Sequence, residues 1–465
     1  MKRTKILCTI GPASKSKSVL KRMISAGMNG IRINTAHADF PRYEEIVKNV
    51  REISDLPIML DIKGPELRIK TEGKLQLTRG QVLEVGVKKS DKTHFTRDVY
   101  DQVEEGDLIL LDNGLIRTHV SSKKKGKIIL KIQNGGNIEG NKSVNIPNKR
   151  MSFPLLSEKD LKAIEFGKEK DVEYISLSFT RDAHDVKTLQ KHIKGSGIGI
   201  ISKIENRQGV LNADEIIKES DGIMVARGDL GSELPPEKIP MIQKDLVIRA
   251  NKAGKISIVA TEMLQSMVEN IRPTRAETSD VANAILDGAD VIMLSAESAI
   301  GKHPVESVRI LSSIAAEIES QPTCKTIEVE STEAIPTSIA RAVSTIMAGA
   351  HVDKIVVATR TGYTAMLISN FRVCSEILAL TESEKVKRRL HLAYGVKPIW
   401  HPPFPGRNMI LRAADYCLKN KLVKTTDTVL FTAGKYINKP STNTIEIHRI
   451  NELEKYMKEK RVKLD

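Results

Sequence analysis

The 465-residue chain is longer than one hydrophobic core usually organises, so two or three domains are expected. Its apolar share of 40% and charged share of 28% are ordinary for a globular protein, and no apolar run is long enough to span a bilayer. The formal net charge of +15 is compatible with anionic substrates or a lysine-rich surface, whereas the aromatic share of 4% does not favour a nucleic-acid-binding protein.

Short β-like runs alternate with helical patterns from Thr4 to about Ser320, apart from one interruption. Such alternation is typical of βα units that form a parallel sheet covered by helices. The predicted strands are Lys5–Ile10, Gly30–Thr35, Pro57–Lys63, Tyr174–Phe179, Gly199–Glu205, Gly222–Asp229, Ser257–Met263 and Val291–Glu297. Eight units predict a closed (β/α)8 TIM barrel that comprises residues 1–63 and 151–322.

Two further domains are predicted outside the TIM barrel. Residues 64–150 show period-two alternation, many glycines and the turn signal Asp112-Asn113-Gly114, which indicates a small inserted β-barrel that acts as a mobile lid. Beyond the polar linker Gln321–Pro336, residues 335–450 alternate helix and strand again and predict an open-sheet α/β domain. The charged segment Glu452–Asp465 is compatible with either a short helix or a tail.

The N-terminus runs directly into a strand-like segment, and no export signal is visible. The cysteines lie far apart and show none of the close pairing that zinc sites or redox motifs require. They are Cys8, Cys324, Cys374 and Cys417. Because scattered thiols are typical of a reducing compartment, we expect a cytoplasmic protein.

Polar side chains lie at the ends of most predicted strands, where barrel enzymes carry their catalytic residues. The pairs are Arg32 with Asn34, Asp61 with Lys63, Lys203 with Glu205, Arg227 with Asp229, Thr261 with Glu262, and Ser295 with Glu297. Residues two apart on a strand point to the same face, so Lys203 and Glu205 are expected to converge on one pocket. Ion pairs that plug the barrel mouth are the alternative for any single pair, but charged groups at several adjacent strand ends favour an active site.

Glu205 and Asp229 come from adjacent predicted strands and lie among cations. Their oxygens suit Mg²⁺ or Mn²⁺ shared with a phosphorylated substrate, because magnesium usually takes one or two protein carboxylates. Lys203 and Arg32 would then balance the charge on a phosphoryl group during its transfer. These residues therefore predict a metal-dependent phosphoryl-transfer site.

The same residues lie in segments that closely resemble the pyruvate kinase family. These segments are Lys5–Ser14, Leu60–Arg68, Ile201–Asn206, Val225–Gly231, Ala260–Leu264 and Pro273–Glu277, in the family's order and spacing. The resemblance extends through the C-terminal domain. It implies a cytoplasmic homotetramer of glycolysis that transfers the phosphoryl group of phosphoenolpyruvate to ADP, giving pyruvate and ATP. It also implies Mg²⁺ or Mn²⁺ as cofactor, and neither nucleic acid nor membrane as partner.

The resemblance implies a role for each charged site residue. Arg32 would bind the substrate phosphate, and Lys203 would stabilise the transferring phosphoryl group. Glu205 and Asp229 would hold the divalent metal.

Further substrate contacts are implied by two hydroxyl-bearing residues and one backbone segment. Thr261 and Ser295 match positions linked to substrate binding and to protonation of the enolate left after transfer, so both are predicted catalytic residues. The backbone that would face the substrate carboxylate is that of Ala226, Arg227, Gly228 and Asp229.

Nucleotide contacts are implied at the start of the inserted domain and near the second strand. Arg68 would meet nucleotide phosphates as the lid closes. Asn34 and His37 lie where the family's second-strand loop approaches the nucleotide, although packing is a serious alternative for His37.

A monovalent cation site is implied near the second and third strands. Asn34, Asp61 and the carbonyl of Ile62 match its ligands, but Ala36 stands where the family carries a hydroxyl. Glu66 matches the acidic residue of potassium-dependent relatives. We therefore expect potassium activation that is weakened but persists.

A strand-to-helix turn in the C-terminal domain carries hydroxyls and a glycine, and a helix N-terminus of this type is suited to phosphate. Its residues are Thr359, Arg360, Thr361, Gly362 and Thr364. In regulated members of the family this loop grips a phosphorylated effector. Ordinary helix capping by Thr361 or Thr364 is an equally good interpretation.

Two other functions compete with phosphoryl transfer to ADP. A metal-dependent aldolase-type barrel that handles phosphoenolpyruvate also needs carboxylates and an arginine, but it has no need of a nucleotide lid. A catalytically retired barrel that serves as a basic binding scaffold is the alternative outside enzymes. Lys203, Glu205 and Asp229 argue against it, because an idle site has no chemical need for all three.

Overall fold

A computed structural model describes residues 2–36, 40–147, 149, 151–320, 335–403, 409–434 and 442–459. Within these ranges the chain forms two closed barrels and one open sheet. The predicted fold class, a (β/α)8 TIM barrel with an inserted β-barrel and a C-terminal open-sheet domain, is confirmed. The residue boundaries between these domains stay predictions.

Eight parallel strands close the TIM barrel. They are β1 (Lys5–Thr9), β2 (Gly30–Asn34), β3 (Ile58–Ile62), β11 (Tyr174–Leu177), β12 (Gly199–Ile204), β13 (Gly222–Ala226), β14 (Ile256–Ala260) and β15 (Val291–Leu294). Each strand pairs with the next in this order, and β15 pairs with β1. All predicted strands are present, but each ends one to three residues before its predicted end. Several predicted strand-end residues therefore lie on the loops that follow.

Alternate strand residues fill the inside of the TIM barrel. The cluster of buried apolar side chains there includes Leu7, Met59, Tyr174, Ile201, Met224 and Met293. Because side chains alternate across a strand, the residue two positions further on forms the next layer towards the C-terminal mouth. The resulting pairs of apolar and polar residues are Leu7 with Thr9, Met59 with Asp61, Tyr174 with Ser176, and Ile201 with Lys203.

Helices cover the outside of the TIM barrel, and several begin at side-chain caps. They are α1 (Lys17–Ala26), α2 (Phe40–Arg51), α3 (Glu158–Glu169), α4 (Ala183–Ile193), α5 (Arg207–Leu211), α6 (Ala213–Glu219), α7 (Arg227–Glu233), α8 (Ile239–Lys252), α9 (Arg275–Leu286), α10 (Ala296–Ala299) and α11 (Pro304–Ser320). At the start of α9, Thr274 and Glu277 form a reciprocal capping box that satisfies the first free N–H groups. Among the described helices, none has the length and hydropathy of a membrane-spanning segment.

The insertion between β3 and α3 forms a closed barrel of seven strands, which we call the lid. Its strands are β4 (Leu67–Leu77), β5 (Val82–Gly86), β6 (Thr93–Phe95), β7 (Leu108–Leu111), β8 (Ile116–Lys124), β9 (Lys127–Ile132) and β10 (Gly136–Asn145). The predicted turn is confirmed, since Asp112, Asn113 and Gly114 all adopt positive φ between β7 and β8. The lid has its own apolar core, which includes Ile69, Val85 and Phe95.

The C-terminal domain is a five-stranded sheet in the order β18-β17-β16-β19-β20, with helices packed against it. Its elements are α12 (Ile335–Gly349), β16 (Lys354–Ala358), α13 (Tyr363–Asn370), β17 (Glu376–Thr381), α14 (Glu384–Leu390), β18 (Val396–Trp400), α15 (Met409–Lys419), β19 (Thr428–Ala433), β20 (Thr444–Arg449) and α16 (Ile450–Glu459). The edge strand β20 is antiparallel to β19, while the other pairs are parallel. The C-terminal segment is helical as far as Glu459. The sequence patterns did not predict β18 and β20.

Basic residues of α14 contact acidic residues at the N-terminal rim of the TIM barrel. Their ion pairs are Lys385 with Asp171, Lys387 with Asp55, Arg388 with Glu173, and Arg389 with Asp221. The C-terminal domain thus packs at the end of the TIM barrel opposite the polar mouth.

Cys8 and Cys417 are free and buried, whereas Cys374 is disulfide-bonded. The prediction of scattered thiols is therefore wrong at Cys374. Cys324 lies outside the described residues.

Candidate active site

Four buried charged residues meet at the C-terminal mouth of the TIM barrel. We call Arg32, Asp61, Lys203 and Glu205 the charged cluster. Arg32, Asp61 and Lys203 point inward from β2, β3 and β12, and Glu205 directly follows β12. The structure thus brings together four residues that were predicted from three strand ends.

Arg32 is anchored by Asp61 on the neighbouring strand. Its Nε and Nη2 atoms each lie 2.6 Å from Asp61 Oδ2, and Nη1 donates a hydrogen bond to Thr9 Oγ1 at 2.8 Å. Burial opposes ionisation of Asp61, but the positive charges of Arg32 and Lys203 outweigh it and lower the pKa of the carboxyl group. Asp61 is therefore ionised and fixes the Arg32 guanidinium at the mouth.

The Lys203 ammonium lies between hydroxyl and carboxylate oxygens. Its Nζ donates to Ser178 Oγ at 2.8 Å and lies 2.8 Å from Glu205 Oε1 and 3.4 Å from Asp61 Oδ1. Burial disfavours the charged form, yet the surrounding carboxylates of Asp61 and Glu205 raise the pKa of Lys203 overall. The ammonium therefore keeps its proton and supplies a fixed positive charge.

Glu205 and Asp229 form the predicted pair of metal ligands. Glu205 Oε2 accepts a hydrogen bond from the Phe179 N–H at 2.7 Å. Burial raises the pKa of Glu205 against the influence of Lys203, and the negative charge of Asp229 raises it further. Asp229 lies in the first turn of α7, which follows the neighbouring strand β13, and not on the predicted strand.

Thr261 is held next to the start of α7. Its Oγ1 accepts a hydrogen bond from the Gly228 N–H at 2.8 Å. Thr261 and Glu262 have φ of 69° and 55°, a left-handed conformation that residues other than glycine rarely adopt. Ala226 is buried at the end of β13. Thr261 therefore lies next to the backbone segment from Ala226 to Asp229, which was predicted to face the substrate carboxylate.

The side chain of Arg227 lies apart from the charged cluster. Its Nη1 is 2.6 Å from Asp280 Oδ2, and its Nη2 donates to the Thr261 carbonyl at 2.5 Å. The guanidinium thus supports the loop that carries Thr261, and only the backbone of Arg227 shares the predicted surface.

Ser295 directly follows β15, and its Oγ is buried without a hydrogen-bond partner among the described residues. Glu297 is fully buried, and its carboxylate accepts hydrogen bonds from the Ser295 N–H at 2.8 Å and the Leu264 N–H at 3.1 Å. Glu297 thus fixes the loop backbone. The Ser295 hydroxyl remains available to a water molecule or a substrate.

The predicted monovalent ligands lie at the ends of β2 and β3. Asn34 Oδ1 accepts a hydrogen bond from the Ala36 N–H at 2.9 Å, and Asp61 is engaged by Arg32 and Lys203. Ile62 ends β3. His37 lies outside the described residues.

A cleft of about 800 Å³ separates the lid from the TIM barrel. Arg68 and Asp229 both line it, so a predicted nucleotide contact and a predicted metal ligand share one cavity. Arg68 Nη2 lies 2.7 Å from Glu66 Oε1, and Lys63 Nζ lies 3.1 Å from Glu66 Oε2. A cavity of this size matches the pockets that bind small ligands.

The predicted effector turn precedes α13 in the C-terminal domain. Thr359 Oγ1 accepts from the Gly362 N–H at 2.9 Å, and Thr361 Oγ1 accepts from the Tyr363 N–H at 3.4 Å. The Thr364 hydroxyl contacts that of Thr442. The N-cap residue of α13 is Gly362, which has no side chain to cap the helix, so the predicted capping by Thr361 or Thr364 is wrong. The effector role, which also involves Arg360, stays a prediction.

Two hydroxyl residues of the site were not predicted. Thr9 ends β1, where it contacts Arg32, and Ser178 follows β11, where it contacts Lys203. The sequence signal was present, because both lie two or four residues beyond an inward-facing apolar residue of the same strand.

Two protein-family models match the chain, one over the barrel part and one over the C-terminal domain. The family model described as pyruvate kinase, barrel domain, matches residues 1–308, and that described as pyruvate kinase, alpha/beta domain, matches residues 337–448. The chain belongs to the pyruvate kinase family. Membership implies a divalent metal and typically potassium. The predicted activity, phosphoryl transfer between phosphoenolpyruvate and ADP, is confirmed.

Individual pyruvate kinases resemble the chain over almost its full length. The pyruvate kinase of Sporosarcina psychrophila is 40% identical and that of Bacillus licheniformis is 39% identical, and each match covers 97% of this chain and 81% of the relative. Among solved structures, a pyruvate kinase from Cryptosporidium parvum is 34% identical, with a TM-score of 0.89 over 97% of this chain and 96% of that chain. The aldolase-type and retired-scaffold alternatives are therefore not favoured.

Proposed function

We propose that the charged cluster and the adjoining cleft transfer the phosphoryl group of phosphoenolpyruvate to ADP. The observation that carries this proposal is the buried Lys203 ammonium, which Ser178 and Glu205 hold at 2.8 Å at the mouth of the barrel. In the reaction, the bond between phosphorus and the enol oxygen breaks as a terminal oxygen of ADP bonds to phosphorus. A fixed positive charge stabilises the transferring group, because that group carries negative charge throughout.

Arg32 binds the phosphate of phosphoenolpyruvate beside Lys203. Asp61 and Thr9 hold its guanidinium in place at 2.6 and 2.8 Å, which reduces the cost of ordering it when substrate binds. The backbone of Ala226 to Asp229 faces the substrate carboxylate at the N-terminus of α7, where the helix dipole favours an anion.

Protonation of the enolate completes the reaction and gives pyruvate. Thr261 and Ser295 lie on the loops after β14 and β15, on neighbouring strands. The unpartnered Ser295 hydroxyl and the hydroxyl of Thr261 order the water that delivers this proton to carbon.

Glu205 and Asp229 hold the divalent metal, Mg²⁺ or Mn²⁺. The donor set fits such an ion, since it supplies two hard carboxylates, one directly after β12 and one in the first turn of α7, which follows the neighbouring strand β13. When bound, the metal would supply positive charge that offsets the negative charge of the transferring phosphoryl group. Arg68, which lines the same cleft as Asp229, contacts the nucleotide phosphates. Asn34 and His37 stay sequence-based predictions for nucleotide contacts.

A potassium ion binds weakly at Asn34, Asp61 and the Ile62 carbonyl. The donor set fits a weakened site, because Asn34 Oδ1 already accepts a hydrogen bond and Ala36 offers no hydroxyl.

We propose a cytoplasmic homotetramer. The exposed apolar side chains of Met241 and Ile248 on α8 and of Leu286 on α9 support association through this face of the barrel.

The test is a lactate-dehydrogenase-coupled assay with phosphoenolpyruvate, ADP and MgCl₂. The wild type is expected to turn over, and Lys203→Met is expected to lose activity almost entirely through kcat, with an unchanged circular dichroism spectrum. The matched control is Lys302→Met, whose ammonium is mostly exposed and pairs with Glu269. Normal turnover in Lys203→Met would remove the proposed role of this lysine.

A further inference from the structure

The segment that follows β11 contacts both Lys203 and Glu205. Ser178 Oγ accepts a hydrogen bond from Lys203 Nζ at 2.8 Å and donates one to Asp61 Oδ1 at 3.2 Å. The next residue, Phe179, donates its N–H to Glu205 Oε2 at 2.7 Å. Two consecutive residues therefore orient the cationic and anionic members of the charged cluster.

The backbone of this segment has little freedom. Phe179 adopts φ of 55°, which is unfavourable for a residue with a side chain and persists only where the surroundings impose it. Gly64, at the start of the lid, also has positive φ, and a Cβ built there would lie 2.8 Å from the Ser178 carbonyl oxygen. The close approach of these two loops keeps Ser178 directed at Lys203.

Ser178 is almost completely buried, with 3% of its surface exposed. Its hydroxyl can donate only one hydrogen bond, and Asp61 receives it, so the free lone pairs of Oγ face the ammonium. A lysine side chain has several rotatable bonds and needs such a partner to stay in one place.

We propose that Ser178 is a positioning residue for phosphoryl transfer. It fixes the Lys203 ammonium between Glu205 and Asp61, so that the positive charge is already aimed at the transferring group when substrate arrives. This inference rests on the proposed role of Lys203. Without the hydroxyl, the ammonium would move towards one carboxylate and lose its alignment, while substrate contacts through Arg32 would remain.

The test compares Ser178→Ala with Ser176→Ala in the full-length protein. Ser176 lies two residues earlier, on β11, and is fully buried, and its hydroxyl has no partner among the described residues. Ser178→Ala is expected to lower kcat and the single-turnover rate of phosphoryl transfer about 10- to 100-fold, as loss of a supporting partner typically does. The KM for phosphoenolpyruvate should change less than about threefold, because ground-state binding is retained. Ser176→Ala should keep the wild-type rate.

Ser178→Thr retains a hydroxyl and must retain more of the rate than Ser178→Ala. An equal or reversed order, or a Ser178→Ala rate within about twofold of wild type, would overturn the inference. Equal losses in Ser176→Ala and Ser178→Ala would also overturn it, since burial of a serine alone would then explain both. Activity of Lys203→Met separates the two proposals, because an active Lys203→Met contradicts the proposed function itself.

Discussion

The Arg372 guanidinium of the C-terminal domain lies 2.7 Å from the Asp290 carboxylate of the TIM barrel. Both side chains are buried, with 6% and 1% of their surfaces exposed. Arg372 also donates to Asn251 Oδ1 at 3.0 Å, and Asp290 accepts from the Ser257 N–H at 2.8 Å. The two domains are thus joined by a buried ionic network at the end of the barrel remote from the charged cluster.

Arg372→Leu is expected to destabilise the protein by about 3–5 kcal/mol, because it leaves the Asp290 carboxylate buried without its ionic partner. The measurement is the urea midpoint followed by circular dichroism. The control is Lys302→Gln, which breaks an exposed pair and should cost less than about 1 kcal/mol. Similar shifts in both variants would show that burial of the Arg372 pair is unimportant.

Gly64→Ala is expected to lower both stability and kcat. At φ of +68° a side chain is strained by about 1–2 kcal/mol, and its Cβ would also meet the Ser178 carbonyl at 2.8 Å. Gly73→Ala is the matched control, since Gly73 has φ of +76° and no heavy atom within 4 Å. Chemical denaturation and the coupled assay together measure the difference. If both variants lose equal stability and neither loses activity, the close contact with Ser178 has no role.

Asp229→Ala is expected to weaken Mg²⁺ binding and activity together. The affinity should fall by about tenfold or more, because even loss of a group that supports a metal ligand costs 10- to 100-fold. Calorimetric titration of the variant with MgCl₂ measures this directly. Asp245→Ala, which removes an exposed carboxylate from α8, should bind metal like the wild type. An unchanged titration in Asp229→Ala would place the metal elsewhere.

Potassium chloride is expected to activate the enzyme, but only at higher concentration than a site with a full oxygen set would need. The reason is the lost hydroxyl at Ala36, while Glu66 is retained. The rate is measured against tetramethylammonium chloride at matched ionic strength. Ala36→Ser should lower the activating concentration. Equal rates in both salts for the wild type would show that the enzyme works without the ion.

Acid is expected to destabilise the protein through His391 at the boundary between the barrel and the C-terminal domain. Burial, with Lys5 and Lys387 nearby and Asp55 opposing them, lowers the pKa of His391 to about 4. The unfolded state, with a pKa of about 6.5, therefore binds more protons between these values. Stability is fully present above about pH 6.5 and is lost as the pH falls through about 4, by up to about 3 kcal/mol.

Urea midpoints between pH 4 and 7 measure this effect, and the difference between wild type and His391→Gln isolates it from the carboxylates that also titrate. The wild type should lose more stability than the variant as the pH falls. Parallel curves would show that His391 does not titrate abnormally.

Much of the fold was predictable because its signals are local. Each strand of the TIM barrel is a short apolar run that is followed by a segment whose apolar residues recur with the period of a helix. The lid was predicted from the alternation of apolar and polar residues and from the turn at Asp112 to Gly114. In the C-terminal domain, β18 and β20 escaped prediction. Lys397 and Pro398 interrupt the apolar pattern of β18, and the edge strand β20 is largely uncovered by other elements.

The sequence by itself determined which charged residues lie at the mouth of the barrel. Side chains alternate between the two faces of a strand, so Lys203 points inward like Ile201 and Asp61 points inward like Met59. Only the tertiary structure decided what these residues touch. Ser178 and Lys203 come from different strands, the Arg227 guanidinium turns towards Asp280, and Arg372 reaches across a domain boundary to Asp290. Such contacts depend on how segments distant in sequence pack against each other, and a local pattern of residues does not predict that packing.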